Sequence, residues 1–185
     1  MKILYLHGYG SKFDPDSAKI GVLKTLGQVS GPNTDYGEGQ QAVFDAVLEF
    51  VDNDRYDLVV GTSMGGWLAS HVCRFLQVPF VALNPSITPS RTLKKYIGET
   101  INYVGHDCRI DEEAVMSYAD FYTQGACGYI LCEAGDEVLD ARATLDYLSA
   151  YYGTKLVDGG SHRFESLASH LSQLEKMAAA GASSK

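Results

Sequence analysis

Long apolar runs are absent from this 185-residue sequence. The first apolar run, residues 3–6, is only a few residues long and ends in His7 and Gly8. A secretory signal needs an apolar region of roughly seven residues or more, and a membrane-spanning helix needs about 20. We therefore expect no signal peptide and no membrane span, and we expect a cytoplasmic protein.

Cysteine is also scarce, and so is positive charge. The four cysteines form no CxxC pair, and we see no histidine at metal-ligand spacing from them, which favours free thiols and no metal site. A disulfide between Cys108 and Cys127 stays open as an alternative. The net charge of −8 argues against nucleic acid or an anionic membrane as the main partner, because both need clustered Lys and Arg.

Repeats and flexible linkers are missing too, and the length suits one domain. Short apolar runs that predict buried strands alternate with runs of helical spacing. The runs predict strands at 3–7, 58–60, 79–83, 129–132 and 155–157, an edge strand at Val29, and helices at 14–26, 39–51, 67–76, 139–151 and 164–177. This order predicts an α/β fold, a three-layer sandwich with a mostly parallel sheet.

Residues 86–127 interrupt the alternation. This segment is too long for a simple crossover, and we predict helices at 92–103 and 111–122 that form a crossover helix and a small cap. Its aromatic residues could line an acyl site, although packing of the cap is the simpler interpretation. Arg91, Lys94 and Lys95 could attract an anionic leaving group, but a solvated helix face explains them better. We assign residues 1–177 to one domain and expect a disordered tail at 178–185.

Residues 61–65 read Gly-Thr-Ser-Met-Gly and fit the pattern G-x-S-x-G. They lie between a predicted strand and a predicted helix, where a tight turn would project the hydroxyl of Ser63 as a nucleophile. Side chains at Gly61 and Gly65 would collide in such a turn. A glycine-rich turn that only packs, or that binds phosphate, is the alternative. Neither common phosphate-loop pattern is present.

An acyl-transfer nucleophile needs N–H donors for the oxyanion that forms on attack. The amide of Met64, directly after Ser63, is the first candidate. The second is the amide of Tyr9, in the loop after the first strand. We interpret His7 as a structural residue that orients this loop.

A general base should follow Ser63 in the chain, near a strand end. His162 fits, because it lies in a glycine-rich turn directly after the last predicted strand. His106 falls in the cap, His170 falls in the middle of a helical pattern, and His71 reads as a packed or solvated helix residue.

The acid that orients the base should also follow a strand. Glu133, Asp136, Glu137 and Asp140 crowd the end of the fourth strand. Asp136 is the preferred candidate because it follows a glycine turn. Glu137 and Asp140 read more simply as solvated charges near a helix start.

Together, these motifs resemble the YqiA/YcfP-type small bacterial esterase family of the α/β-hydrolase superfamily. The resemblance rests on residues 7–9, 61–66, 84–85, 135–140 and 160–162, of which Asn84-Pro85 and the segment 135–140 are the more particular. It implies a reduced hydrolase sheet, esterase or thioesterase activity without a cofactor, and a cytoplasmic location.

The sequence therefore predicts a serine hydrolase with a Ser63–His162–Asp136 triad that acts on small esters or acyl-CoA-like thioesters. Two alternatives stay open: a non-catalytic binding protein that keeps the scaffold, and an amide or peptide hydrolase. The oligomeric state is not predicted.

Overall fold

The computed structural model describes residues 1–52, 54–124 and 127–182. Its centre is a six-stranded parallel sheet with the order β2-β1-β3-β4-β7-β8, and a separate antiparallel pair is formed by β5 and β6. The strands are β1 (Lys2–Leu6), β2 (Gln28–Ser30), β3 (Leu58–Thr62), β4 (Phe80–Leu83), β5 (Thr100–Asn102), β6 (Asp107–Arg109), β7 (Gly128–Glu133) and β8 (Gly153–Val157).

Helices cover both faces of the sheet. They are α1 (Ala18–Lys24), α2 (Gln40–Val51), α3 (Met64–Leu76), α4 (Pro89–Thr92), α5 (Glu112–Ser117), α6 (Ala141–Leu148) and α7 (Leu171–Ala182), with short 3-10 helices at Tyr36–Glu38, Lys94–Tyr96 and Leu167–His170. Among the described residues, no helix combines the length and the apolarity needed to cross a bilayer.

The apolar core lies in two layers, one on each side of the sheet. Alternate residues of β1 show the division, since Leu4 and Leu6 pack with α2, α3 and α6, whereas Ile3 and Tyr5 pack with α1 and α7. The predicted three-layer sandwich with a parallel sheet is therefore confirmed. All five predicted buried strands and the edge strand at Val29 are present.

The carboxyl ends of the strands meet at one edge. Leu6 is in register with Gly61, Thr62 with Leu83, and Leu83 in turn with Leu131. The segments that follow β1, β3, β4, β7 and β8 therefore emerge side by side, which is where parallel sheets of this type place their reactive groups.

The first helix begins later than predicted. The predicted helix starts at residue 14, but the N-cap is Ser17, whose hydroxyl accepts from the amide of Ile20. Asp14 instead forms a local turn, with its carboxylate accepting from the amide of Asp16 at 3.0 Å. Side-chain bonds of this kind compete with helix formation.

The cap differs most from prediction. Helices at 92–103 and 111–122 were expected; instead, the β5–β6 hairpin occupies the middle of the segment, and α5 ends at Ser117. Gly98, with a φ of 87°, interrupts a helix just before β5. Gly105, with a φ of 100°, lies in the turn between β5 and β6. The cap is therefore a mixture of short helices and a hairpin.

Packing explains most of the cap aromatics, as the simpler interpretation held. Tyr103, Tyr118 and Phe121 are buried. The hydroxyl of Tyr118 donates to the carbonyl of Tyr36 at 2.6 Å, which ties the cap to the loop before α2.

The expected disorder at 178–185 is wrong for residues 178–182, because α7 continues to Ala182. Ala178 packs against the core, and a Cβ atom at Gly181 would collide with the ring of Pro79. The end of this helix is therefore held tightly against the start of β4. Residues 183–185 lie outside the described residues.

Candidate active site

Ser63 occupies the tight turn between β3 and α3. Its φ and ψ angles are 58° and −120°, a conformation that non-glycine residues rarely adopt and that stores backbone strain. Three amides donate to its carbonyl oxygen and hold the turn: Gly66 at 2.9 Å, Trp67 at 3.2 Å and Ser86 at 3.2 Å.

The two flanking glycines are required by space. A Cβ atom on Gly61 would collide with the carbonyl of Gly65, and one on Gly65 would collide with the carbonyl of Leu6 in β1. Side chains at these two positions would therefore collide, as the sequence pattern predicted. The two glycines allow α3 to start directly over the sheet edge, with the side chain of Ser63 projecting from it.

Ser63, His162 and Asp136 form one chain of hydrogen bonds. The Oγ of Ser63 lies 2.9 Å from Nε2 of His162, and Nδ1 of His162 lies 3.0 and 2.9 Å from the two carboxylate oxygens of Asp136. Because an ionised carboxylate only accepts, Nδ1 carries the proton and Nε2 is left free to accept from the serine hydroxyl.

The carboxylate of Asp136 is held ionised. Burial alone would raise its pKa, but hydrogen bonds from His162 and from the amides of Leu139 and Val138 outweigh burial and hold the pKa below its ordinary value. Its side chain is 1% exposed, whereas that of His162 is 19% exposed. The imidazole is therefore held at Nδ1 by the buried Asp136, while part of the ring stays accessible.

The other acids near this strand end have different tasks. Asp140 caps α6 by accepting from the amide of Ala143 at 3.0 Å, in agreement with its predicted place at a helix start. Glu137 was interpreted as a solvated charge, and this is incomplete, because its carboxylate accepts from the backbone amide of His162 at 2.9 Å. Asp136 thus bonds to the ring of His162, and Glu137 bonds to its backbone.

The remaining histidines lie elsewhere. The Nε2 of His7 accepts from the amide of Thr34 at 3.0 Å and its Nδ1 donates to the carbonyl of Gly8 at 2.8 Å, which suits the predicted role in orienting the loop. His71 donates to the carbonyl of Asp120 at 3.0 Å, and burial lowers its pKa to about 4. Neither is within the Ser63 hydrogen-bond chain.

Asn84 is a residue whose role the sequence did not reveal. It follows β4 with a positive φ of 44°. Its amide nitrogen donates to the carbonyls of Ser161 at 2.9 Å and His162 at 3.2 Å, while its Oδ1 accepts from the amide of Glu133 at 2.8 Å. Asn84 therefore joins the ends of β4 and β7 to the loop that carries His162.

Glu133 is the second such residue. Its buried carboxylate accepts three backbone amides of the His162 loop: Ser161 at 2.8 Å, Glu165 at 3.0 Å and Ser166 at 2.7 Å. Burial would raise its pKa, but hydrogen bonding from Ser166, Glu165 and Ser161 lowers the pKa below the ordinary value. A Cβ on Gly160 would collide with this carboxylate, so the loop is folded directly around it. In the sequence, Glu133 stood out only as one of the acids that crowd the end of the fourth predicted strand.

The two predicted oxyanion donors both lie beside Ser63. Met64 is the first residue of α3, a position where backbone N–H groups have no acceptor within the helix. A Cβ on Gly8 would lie 3.1 Å from the Cβ of Ser63, so the loop after β1 passes directly against the serine. Tyr9 follows Gly8, and its ring packs 5.0 Å from that of Tyr96 in the cap.

Two spaces meet at Ser63 and His162, which line both. On the cap side is a small cavity of about 100 Å³, lined also by Tyr9, Met64, Ser86, Thr92, Leu93, Tyr96, Val138 and Leu139. On the side of α1 is an open groove of about 1030 Å³. Arg91, Lys94 and Lys95 are exposed, and among the described residues they line neither space, in keeping with a solvated face.

One further cluster could bind a metal. Donor atoms of Asp35, His106 and Cys108 lie within 4.8 Å of one another. Spacing along the chain did not reveal it, since Asp35 is 71 residues from His106. The Nε2 of His106 lies 3.0 Å from Oδ2 of Asp35, a contact that fastens the β5–β6 hairpin to the loop before α2.

Known proteins resemble the chain in sequence and in structure. The model of the Uncharacterised protein family (UPF0227) matches residues 2–179. A UPF0227 protein of Pectobacterium carotovorum is 25% identical, covering 94% of this chain and 96% of the relative. One of Vibrio cholerae is 24% identical, covering 96% and 99%.

Solved structures share the fold at low identity. Est1E from Butyrivibrio proteoclasticus has a TM-score of 0.69 at 15% identity, covering 98% of this chain and 88% of that one. A monoacylglycerol lipase of Paleococcus ferrophilus has a TM-score of 0.65 at 16% identity, covering 96% and 94%. The chain therefore belongs to the UPF0227 family, as its resemblance to the YqiA/YcfP-type proteins predicted, and it has the α/β-hydrolase fold.

Proposed function

We propose that the protein is a serine hydrolase that cleaves small carboxylic esters or acyl thioesters through an acyl-enzyme. The observation that carries this proposal is the unbroken hydrogen-bond chain from Ser63 through His162 to Asp136, at the carboxyl edge of a parallel sheet. Structures with the same fold include the monoacylglycerol lipase of Paleococcus ferrophilus, which lends the proposal further support.

Proton transfer follows from the tautomer of His162. Its free Nε2 takes the proton of Ser63 as Oγ attacks the carbonyl carbon, and the imidazolium that forms is stabilised by the ionised Asp136. His162 then protonates the leaving oxygen or sulfur. Water, activated by the same imidazole, attacks the acyl-enzyme and restores the free serine.

The oxyanion would be held by the backbone amides of Met64 and Tyr9. The start of α3 adds the favourable potential of a helix N-terminus. Donors of this kind typically contribute about 10²–10³ in rate each. Because both are backbone groups, side-chain substitution at Tyr9 would not remove its donor.

A non-catalytic binding protein with this scaffold is the less favoured alternative. Loss of one member of the hydrogen-bond chain would be its expected mark, whereas all three groups are in bonding contact. Hydrolysis of amides by the same groups is tested by including aminoacyl amides in the substrate panel.

The test is labelling by a fluorophosphonate probe together with turnover of p-nitrophenyl esters and acyl-CoAs. Wild type should label and turn over, and Ser63→Ala should do neither. Ser149→Ala is the matched control, because Ser149 lies at the end of α6 and its hydroxyl donates to the carbonyl of Asp146 in the same helix. Labelling and turnover that persist in Ser63→Ala would contradict the assignment.

A further inference from the structure

The two spaces at Ser63 divide a substrate by size. A cavity of about 150 Å³ accommodates benzene, so the 100 Å³ cavity beneath the cap has room for roughly four carbon atoms. The groove, at about 1030 Å³, has room for a larger part of a substrate. If the small cavity takes the acyl portion, the groove takes the leaving group.

Lys19 of α1 lines this groove together with Ser63 and His162. Its ammonium donates to the hydroxyl of Thr62 at 3.1 Å and to the carbonyl of Arg163. Thr62 directly precedes Ser63, and Arg163 directly follows His162. The ammonium therefore lies between the two segments that carry the reacting groups.

Lys19 has no carboxylate partner in the part of the chain that the structure describes. Within residues 1–52, 54–124 and 127–182, no carboxylate oxygen is found within 4.0 Å of its ammonium. Glu133 attracts it only from a longer distance, and the carboxylate of Glu133 is occupied by three backbone amides. Two of the three ammonium protons have protein acceptors in the described part of the chain, which leaves one for a ligand.

A partly buried cation without a counter-ion is unfavourable, and a ligand anion would relieve this. Burial lowers the pKa of Lys19 to about 8, with the charge of Arg163 acting in the same direction and that of Glu133 opposing it. The amine is therefore still mainly protonated at pH 7.

The rest of the groove also favours an anion. Three basic residues line it, Lys12, Lys19 and Arg163, compared with two acidic residues, Asp14 and Glu165. Both acids already accept hydrogen bonds, Asp14 from the amide of Asp16 and Glu165 from the hydroxyl of Ser161 at 2.8 Å. A local excess of positive charge in a chain of net charge −8 is a feature that a substrate can use.

We propose that Lys19 binds a carboxylate or phosphate on the leaving group of the substrate, so that the protein selects esters or thioesters of anionic alcohols or thiols. This inference rests on the proposed hydrolysis. Lys19 is then a specificity-determining residue, and its effect is expected in KM.

The test compares matched pairs of acetyl thioesters. One member carries a thiol with a terminal carboxylate two to four methylenes from sulfur, and the other carries the primary amide of the same thiol. Thiol release gives kcat/KM for each. For wild type, we expect the best carboxylate to exceed its amide by about tenfold, as one charge-assisted hydrogen bond would give.

Three variants separate binding from structure. Lys19→Met should bring the carboxylate-to-amide ratio close to one, and Lys19→Arg should keep most of it. Lys24→Met is the matched control, since Lys24 lies on the same helix and donates to the carbonyl of Pro15 at 2.8 Å, outside the groove. If Lys19→Met slows both substrates equally and keeps the ratio, Lys19 only positions the loop and the proposal is overturned.

Two further arms complete the test. Succinyl and butyryl thioesters of a neutral thiol place the anion on the acyl side; a carboxylate preference there that depends on Lys19 would overturn the leaving-group assignment. If wild type hydrolyses no substrate, the proposed function fails, and calorimetric binding of 3-mercaptopropionate tests the anion site alone. Binding by wild type at least about tenfold tighter than by Lys19→Met supports that site, and equal binding overturns it.

Discussion

The edge of the sheet and the cap face each other across Ser63, and different forces hold them. At the edge, Asn84 and Glu133 fix the His162 loop through a set of partly buried hydrogen bonds. In the cap, short helices and a hairpin combine aromatic packing with hydrogen bonds spread over many residues, such as that of Tyr118 to Tyr36. Hydrogen bonds fix distance and direction, whereas apolar contacts mainly require that volume be filled.

This difference predicts that the two regions control different properties of the enzyme reaction. Changes at the edge should act on the rate of the chemical step, because they move the reacting groups. Changes in the cap should act on which substrate fits.

The largest effect is expected for Asp136→Asn. The amide keeps the shape of the carboxylate but permits the wrong tautomer of His162, so kcat should fall by about 10³–10⁴. Steady-state hydrolysis of p-nitrophenyl acetate measures this. Asp140→Asn, at the N-cap of α6, is the control and should retain near-normal kcat. Equal losses in both variants would refute the assigned role of Asp136.

Glu133→Gln should have the next largest effect. An amide in place of the carboxylate turns an N–H group toward one of the backbone donors and removes a buried charge that accepts three bonds. We expect the free energy of unfolding to drop by about 2–4 kcal/mol and kcat to fall by about 10–100-fold as the His162 loop loosens.

Chemical denaturation and steady-state kinetics on the same samples measure both changes for Glu133→Gln. Glu175→Gln, on the exposed face of α7, provides the comparison and should change neither quantity appreciably. A normal kcat in a destabilised Glu133→Gln protein would show that the edge does not set the rate.

A smaller effect is expected in the cap. Tyr96→Ala should enlarge the small cavity and shift the preferred acyl chain to greater length. Each methylene that becomes buried contributes about 0.8 kcal/mol, which corresponds to roughly fourfold in kcat/KM. A series of p-nitrophenyl esters from acetate to octanoate measures the shift. Tyr147→Ala, at an exposed tyrosine of α6, should leave the profile unchanged.

The smallest effect concerns the pH dependence of stability. The pKa of Asp136 is lower in the folded protein than in the unfolded chain, so its contribution is fully present above the ordinary aspartate pKa of about 4 and is lost as the pH falls through the folded pKa. Denaturant melts of wild type and Asp136→Asn at pH 6 and pH 3 check this. The stability difference between them should shrink at pH 3; a difference that grows would contradict the direction of the shift.

Much of the edge could be predicted from the sequence because its constraints are local. Gly61 and Gly65 mark a turn that tolerates no side chain at those two positions. The strand ends place Asp136 and His162 at one edge of the sheet. Asn84 and Glu133 could not be assigned in this way, because their bonds join segments about 30 to 80 residues apart.

The cap was predicted poorly for a physical reason. Its apolar residues occur at spacings that fit a helix, yet Gly98 and Gly105 take left-handed conformations that turn the chain into a hairpin. The buried Cys108 of β6 and the contact of His106 with Asp35 then hold that hairpin against the rest of the chain. Tertiary packing therefore determines the secondary structure of the cap.

The way the His162 loop encloses the carboxylate of Glu133 has a consequence for evolution and design. Inserting or deleting one residue between 160 and 166 would leave a buried negative charge facing missing donors, so the length of this loop is fixed together with Glu133. The turn of the β5–β6 hairpin contacts the carboxylate of Asp35 through the side chains of Tyr103 and His106 and not through backbone amides. New specificities are therefore most readily engineered by varying the hairpin, with the His162 loop and Glu133 kept as an inseparable unit.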